Sequence, residues 1–303
     1  MRDLLSTELF GQVVEFVNSL ATRIQEASLL HLSAPASIEG MLALGQLEAV
    51  CLDLGLKYTR KFTATKADVP RDESIIPTFP KNGLGVFCNV EEEVWKLEEV
   101  PATPFIHILP LQTQVETGTQ RHLHTGVLDP VVLAAAIAAH LAPNGRRVRA
   151  LRPFISLGLW QRGALDTRYD PIHSLVIAHL QHEGSLRMVP LPEVEQAVTE
   201  MIPGFSQRQY KRLVKSWSGM HVDQRAMALS ELILTSLTHN EISTPRLEEL
   251  TWHRMVIRGQ PQDVVSQLFR LETMWPKDLK NAKIFASKIL DFWLASGSLA
   301  YAA

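Results

Sequence analysis

The segment "LLHLSAPASIEG", Leu29 to Gly40, has the outline of a metal-binding turn. An apolar run ends in His31, a polar loop follows, and Gly40 stands where an amphipathic helix opens, as in a catalytic strand, loop and helix. Between His31 and the helix start it holds none of the carboxylates that would hold a cation, and Glu39 stands only beside Gly40. Four other groups of residues suggest chemistry and fall short of it. Gly83 and Gly85 in "NGLGVF" precede a strand, whereas a phosphate cradle needs glycines between a strand and a helix N-terminus, so a turn is expected. His179, His182 and Glu183 in "HLQHE" lack the order and spacing of a metalloprotease pair and read as an exposed polar helix face. His122 and His124 in "RHLHTG" share a strand face with only Glu116 near in sequence. Ser156 in "FISLGLW" lacks the preceding glycine of a nucleophile elbow.

The chain that must position these residues has 303 residues, 46% of them hydrophobic, enough to bury one large core or two smaller ones. Thirty basic residues face thirty-two acidic ones, a formal charge of -2, so no global field draws the chain to nucleic acid or an anionic membrane. Any such contact must be local. Cys51 and Cys88, both in apolar segments, read as buried free thiols of a reducing compartment. "MRDLLSTELFGQ" has no basic region followed by an apolar core, and no run reaches the ~18 apolar residues of a membrane span. A soluble intracellular protein is expected, in cytoplasm or nucleoid.

Leu9, Val13, Phe16, Val17, Leu20 and Ile24 recur at helical steps and predict a helix ending near Glu26. The strand "SLLHL" comes next. Residues 37–54 carry Met41, Leu44, Leu47 and Cys51 on one helical face, and Gly55 is the stop signal. "KYTRKFTA", "GLGVFCNV" and "TPFIHIL" read as strands, with "EEEVWKLEEV" as a short acidic helix between the last two. Asp129-Pro130 and Asp170-Pro171 each place a capping carboxylate before a proline suited to a first helical turn. "GSLRMVPLP" is a strand broken by prolines. Beyond it, residues 193–295 show helical spacing throughout. The expected organisation is an α/β domain over residues 1–190 and a mostly helical domain over 191–303.

Read in order, residues 27–190 resemble the DHH phosphoesterase superfamily, in particular its RecJ-like branch. That family's first motif is a strand, a histidine, two alternating aspartates and a glycine-rich helix start. "HLSAPASIEG" keeps His31 and places Ser33 and Pro35 at the aspartate positions. The second motif is a buried strand ending in a metal-binding aspartate, and "GVFCNVE" has Asn89 there. At the Asp-His-His of the third strand end, "PFIHILPLQ" has Leu109, Pro110 and Leu111. "DPVVLAAAIAAHL" and "RPFISLGLWQRG" resemble the next helix and a strand-like segment that ends in a fourth aspartate, yet no acid occurs from Phe154 to Gly163. "DPIHSLVIAHLQHEG" and "SLRMV" resemble the helix and strand that RecJ-like proteins carry after the last motif. The resemblance implies a DHH-type, mainly parallel sheet flanked by helices. Two-metal phosphodiester hydrolysis needs several carboxylates and imidazoles, and these residues cannot supply them, so no catalytic residue, metal or cofactor is expected.

The degenerate RecJ-like subunits of the CMG replicative helicase combine this fold with a lost site, and resemblance to them implies a scaffold role beside GINS and the MCM ring. The family's DNA-binding DHHA1 domain has a glycine-rich motif that "RMVIRGQPQD" lacks, so residues 191–303 read as a reduced or replaced version. Three basic clusters are candidates for phosphate contact: Lys57, Arg60, Lys61 and Lys66; Arg146, Arg147, Arg149 and Arg152; and Arg208, Lys211, Arg212 and Lys215. The second is the expected contact for single-stranded DNA, against the plainer reading of solvated faces. Trp217, Trp252, Trp275 and Trp293 read as core fillers or a partner groove, and "LASGSLAYAA" as a partner contact or a frayed end. Two alternatives stay open. One is a regulatory partner of an active RecJ-like nuclease; the other is a manganese-dependent phosphoesterase with a relocated site built from Glu39, Asp53, Asp68 or Asp72 with His31.

Overall fold

The structure is a computed structural model, and it describes residues 3–166 and 170–301. Two 3-10 turns lead into helix α1 (Val14–Glu26). Strand β1 (Leu30–Pro35), helix α2 (Ile38–Leu54), β2 (Tyr58–Thr63), β3 (Leu84–Cys88) and β4 (Ile106–Ile108) come after it. The four strands form a parallel sheet in the order β2-β1-β3-β4. The α/β class and the helical C-terminal region are as expected from the sequence.

Local chemistry explains where the elements begin and end. Ser37 caps α2 by accepting from the Gly40 N–H at 3.1 Å, and Gly55 ends it in the left-handed region with φ 69°. Gly40 carries a second constraint: a Cβ there would strike the Pro35 carbonyl, so only glycine lets the helix start against the end of β1. The four positions expected to face the core understate the burial of α2. Nearly every residue from Ile38 to Cys51 is buried, because the sheet and other helices together enclose it.

An antiparallel hairpin, β5 (Leu111–Thr117) and β6 (His122–Leu128), leads into α3 (Pro130–Leu141), α4 (Arg146–Leu151), α5 (Ser156–Gln161), α6 (Pro171–His182) and β7 (Arg187–Val189). Asp129 and Asp170 cap α3 and α6, each with proline in the first turn, as their sequence predicts. Two expectations are overturned. "EEEVWKLEEV" forms only a 3-10 turn at Leu97–Glu99; its five glutamates repel one another, and the Trp95 backbone pairs with Pro110 and Gln112 instead. "RPFISLGLWQRG" is no strand: Arg152–Phe154 is a 3-10 turn running into α5. Ile155, Leu157 and Leu159 alternate with Ser156 and Gly158 as in a strand, but both sets are buried in the helical form, and Pro153 could not donate to a ladder.

The remaining elements are α7 (Gln207–Ser216), α8 (Val222–Ile233), α9 (Thr244–Trp252), β8 (Arg254–Val256), α10 (Val264–Met274) and α11 (Leu279–Ser296). Contacts cross residue 190 freely. β7 pairs with β8, and Trp293 of α11 lies against Gly45 of α2 and edge-on to Phe154 at 5.5 Å. One apolar core joins both parts, with a small satellite of Leu213, Trp217, Leu229 and Leu232 under α7 and α8. Trp293 and Trp217 are core fillers. The C-terminal tail is docked as far as Tyr301, whose ring meets Phe285 and Phe292, while Ala302 and Ala303 lie outside the described residues. Cys51 and Cys88 are free and buried.

Candidate functional site

In an open parallel sheet, ligands bind beyond the carboxyl ends of the strands where the strand order reverses. Here that point lies between β1 and β3, since the chain runs outward from β1 to β2 and then returns to add β3 and β4 on the other side. The positions that the family resemblance singles out fall mostly at this edge. Ser33 is buried and donates to the Lys61 carbonyl at 2.9 Å. Pro35 ends β1. Asn89 is buried, donating through Nδ2 to Glu92 at 3.0 Å and to His107 Nε2 at 3.2 Å. His107 is therefore the acceptor, and burial lowers its pKa in keeping with a neutral ring. Leu109, Pro110 and Leu111 are all buried. Each position is filled by packing or by a bond within the protein.

His31 lies elsewhere. It is the second residue of β1, about 13 Å of strand from Pro35, paired with Thr59 and Gly85. Its Nε2 donates to the Asn82 carbonyl at 2.7 Å, which leaves Nδ1 to accept from the Thr59 hydroxyl at 2.8 Å. With both nitrogens used, this imidazole has none left for a metal. The nearby Gly83 turns the chain with φ 111° as a turn requires, and Gly85 lies within β3 under the Phe79 ring.

At the switch point itself the structure opens a cleft of about 450 Å³, lined by Glu39, Asp68, Glu91, Gln161, Glu272 and Trp275 among others. Glu39 enters it because the first turn of α2 starts directly above β1. Burial, reinforced by the neighbouring Asp129, pushes the Glu39 carboxyl up to about 8, although Arg162 stands 3.5 Å away and opposes the shift. Burial also raises Asp129, to about 6, against the Val132 and Val131 N–H groups it caps. Glu91 and Glu272 are raised by burial too. Gln161 donates to Glu272 at 2.5 Å, and Arg162 donates to the Val90 carbonyl at 2.8 Å. A carboxyl held protonated at neutrality can donate a hydrogen bond or pass a proton. Sequence reasoning missed Arg162 and Glu272, which come from distant segments; Glu39 was legible as a candidate for a relocated site, and Asp129 only as a cap.

The relocated-site residues do not assemble. Glu39 and Asp68 line the cleft, but Asp53 is fourteen residues along α2 from Glu39, about 21 Å away. Asp53 accepts instead from the Arg147 and Val148 N–H groups at 2.8 and 3.0 Å, capping α4. Asp72 is exposed on a loop, and His31 is committed to Thr59 and Asn82. Among the described residues no three His, Cys, Asp or Glu side chains are gathered as a metal would require. The donor set for manganese is thus dispersed. His122 binds Gln120, and Ser156 is buried with its hydroxyl on Met255 sulfur.

The basic clusters fare differently from one another. Arg60 is tied to buried Glu48 and to Asp291. In the second cluster Arg146 and Arg149 are exposed, Arg147 is paired with Asp53, and Arg152 is buried at 1% exposure against Glu183, also 1%. Arg152 therefore leaves the surface set proposed for DNA. The same pair corrects the reading of "HLQHE" as an exposed face: His179 sits 3.5 Å from Glu183 and 3.1 Å from Arg152, and only His182 points outward. Although burial opposes it, the His179 bond and the Arg152 charge hold the Glu183 carboxyl down to about 2. Arg208, Lys211, Arg212 and Lys215 are all exposed on α7. No helix among the described residues is long and apolar enough to cross a membrane. No protein-family model matches this sequence, and no curated protein matches it either.

Proposed function

We propose that this chain is a non-catalytic RecJ-like scaffold of the replication machinery, seated beside GINS and the MCM helicase. One observation carries the reading. Wherever the resemblance places a metal ligand along the sheet edge, the side chain present is buried and engaged within the protein: Ser33 on Lys61, Asn89 on Glu92 and His107, and Leu109 to Leu111 in packing. Such a fold keeps its turn geometry and offers surfaces in place of chemistry. Arg146 and Arg149 remain available for single-stranded DNA; Arg152 does not.

The test is affinity capture of the tagged protein from its native cells, with nuclease treatment to remove DNA bridging, followed by mass spectrometry. Recovery of GINS and MCM subunits is the expected outcome. Recovery of an active DHH nuclease alone would replace the scaffold reading by that of a regulatory subunit. Metal-dependent cleavage of single-stranded DNA by the pure protein would overturn both.

A further inference from the structure

Helix α7 carries four cations in ten residues: Arg208, Lys211, Arg212 and Lys215. Their spacing makes every neighbour a like charge. Arg208 with Arg212 and Lys211 with Lys215 are one turn apart at four residues, and Arg208 with Lys211 and Arg212 with Lys215 at three, positions where like charges repel. No acid stands in the first turn to temper them. Among the described residues, none of the four makes an ion pair, whereas Arg60, Arg147, Arg152, Arg162, Arg225, Arg246 and Arg254 each do. The opposite side of the helix supplies the anchor, through Leu213, with Tyr210 and Trp217 packed beside it. With that side down, the four cations and Gln207 line one shallow surface concavity.

In a chain of net charge -2, an uncompensated row of this kind is not explained by folding, which it works against. We infer that the exposed face of α7 binds the phosphate backbone of nucleic acid, without reading bases. Charge complementarity selects a polyanion, and the composition of the face selects the mode. Its exposed residues are basic, amide, hydroxyl and one valine, with no exposed aromatic on which an unpaired base could stack. Duplex DNA, with its higher linear charge density, is therefore held at least as tightly as a single strand. This contact lies on a different element from Arg146 and Arg149 and does not depend on the scaffold reading.

The experiment measures binding of the full chain to a labelled mixed-sequence duplex and to an oligothymidylate of equal length, between about 50 and 200 mM salt. Four phosphate contacts predict a slope of log affinity against log salt near -3.6, or a loss of roughly 100-fold across that range for the duplex. Replacing all four cations by glutamine abolishes most of that slope, and the pairs Arg208→Gln with Arg212→Gln, and Lys211→Gln with Lys215→Gln, each remove about half. An Arg71→Gln and Lys81→Gln pair, two exposed cations outside every basic cluster, leaves the duplex slope in place. Circular dichroism of each variant shows an unchanged fold, since every substituted side chain is exposed. An unchanged slope in the quadruple variant overturns the inference, as does tighter binding to oligothymidylate than to duplex. Equal affinity for polyglutamate would assign the face to an acidic protein segment and overturn it too.

Discussion

The segments Arg146 to Arg152 and Arg208 to Lys215 are almost interchangeable on paper, each with four cations inside eight residues. In the folded chain they are opposites. The first is absorbed: Arg147 answers Asp53, Arg152 is sealed against Glu183 and His179, and two cations remain outside. The second is wholly displayed on a helix whose other side is pinned by Leu213 and Trp217. A run of charge reports what a segment can do, while the acids brought up by distant elements decide whether it does it. Asp53 and Glu183 come from α2 and from the residue just after α6, and nothing near Arg147 or Arg152 in sequence announces them.

The contrast between the two segments is tested most severely at Arg152. Arg152→Ala takes the guanidinium from the buried Glu183 carboxylate, leaving it only His179 and Ser185, and is expected to cost about 3–5 kcal/mol in denaturant unfolding. If it cost no more than a surface change, the buried pair would not be what separates the two segments.

Acid titration gives the next largest effect. The Glu183 carboxyl is held below its ordinary value, so its contribution is present above about 4.5 and is lost as pH falls through about 2. On the order of 3 kcal/mol should disappear over that window. Glu183→Gln removes that part of the pH dependence, which equilibrium unfolding at stepped pH would detect. Glu39 should behave with the opposite sign. Its carboxyl is raised to about 8, so the stability attached to its protonated form is full below about 4.5 and is lost as pH rises through about 8. Glu39→Gln is expected to flatten that alkaline decline, by on the order of 4 kcal/mol at pH 8. A wild-type protein equally stable at pH 5 and pH 8 would refute this account of the cleft.

Smaller effects mark the edge of the contrast. Asp53→Ala removes the cap of α4 and is expected to cost about 1 kcal/mol in thermal or denaturant unfolding. Arg208→Ala on α7 should fall within about 0.5 kcal/mol of wild type, because nothing folded depends on it. A large loss there would mean that α7 carries a structural ion pair after all.

Much of the frame was legible. An alternating run marked β2 and short apolar runs marked β1, β3 and β4, and Gly55, Asp129-Pro130 and Asp170-Pro171 marked helix ends through hydrogen bonds that close within a few residues. The hairpin of β5 and β6 is absent from the sequence reading, although Leu111, Thr113 and Val115 alternate inward, because Leu111 also falls at a motif position of the resembled family. The strand expected over "RPFISLGLWQRG" failed for a different reason. Ile155, Leu157 and Leu159 alternate with the small Ser156 and Gly158, a strand-like period that does not show that every side of the segment is buried as a helix. At the candidate site, that Ser33, Pro35 and Asn89 offer a metal no carboxylate could be read directly from residue types. The cleft that brings Glu39, Asp129, Arg162 and Glu272 near one another could not.

By itself the sequence determined those elements whose signals are local, along with the chemical impossibility of metal ligation at Pro35 and Leu109. Only the tertiary structure decided that His31 spends both nitrogens on Thr59 and Asn82, that Arg152 is hidden while α7 stays bare, and that two carboxyls meet beneath the switch point. The physical reason is range. Caps and periodicity act over a few residues of one chain segment, whereas solvation and Coulomb energy depend on every group that folding packs nearby, however remote in sequence.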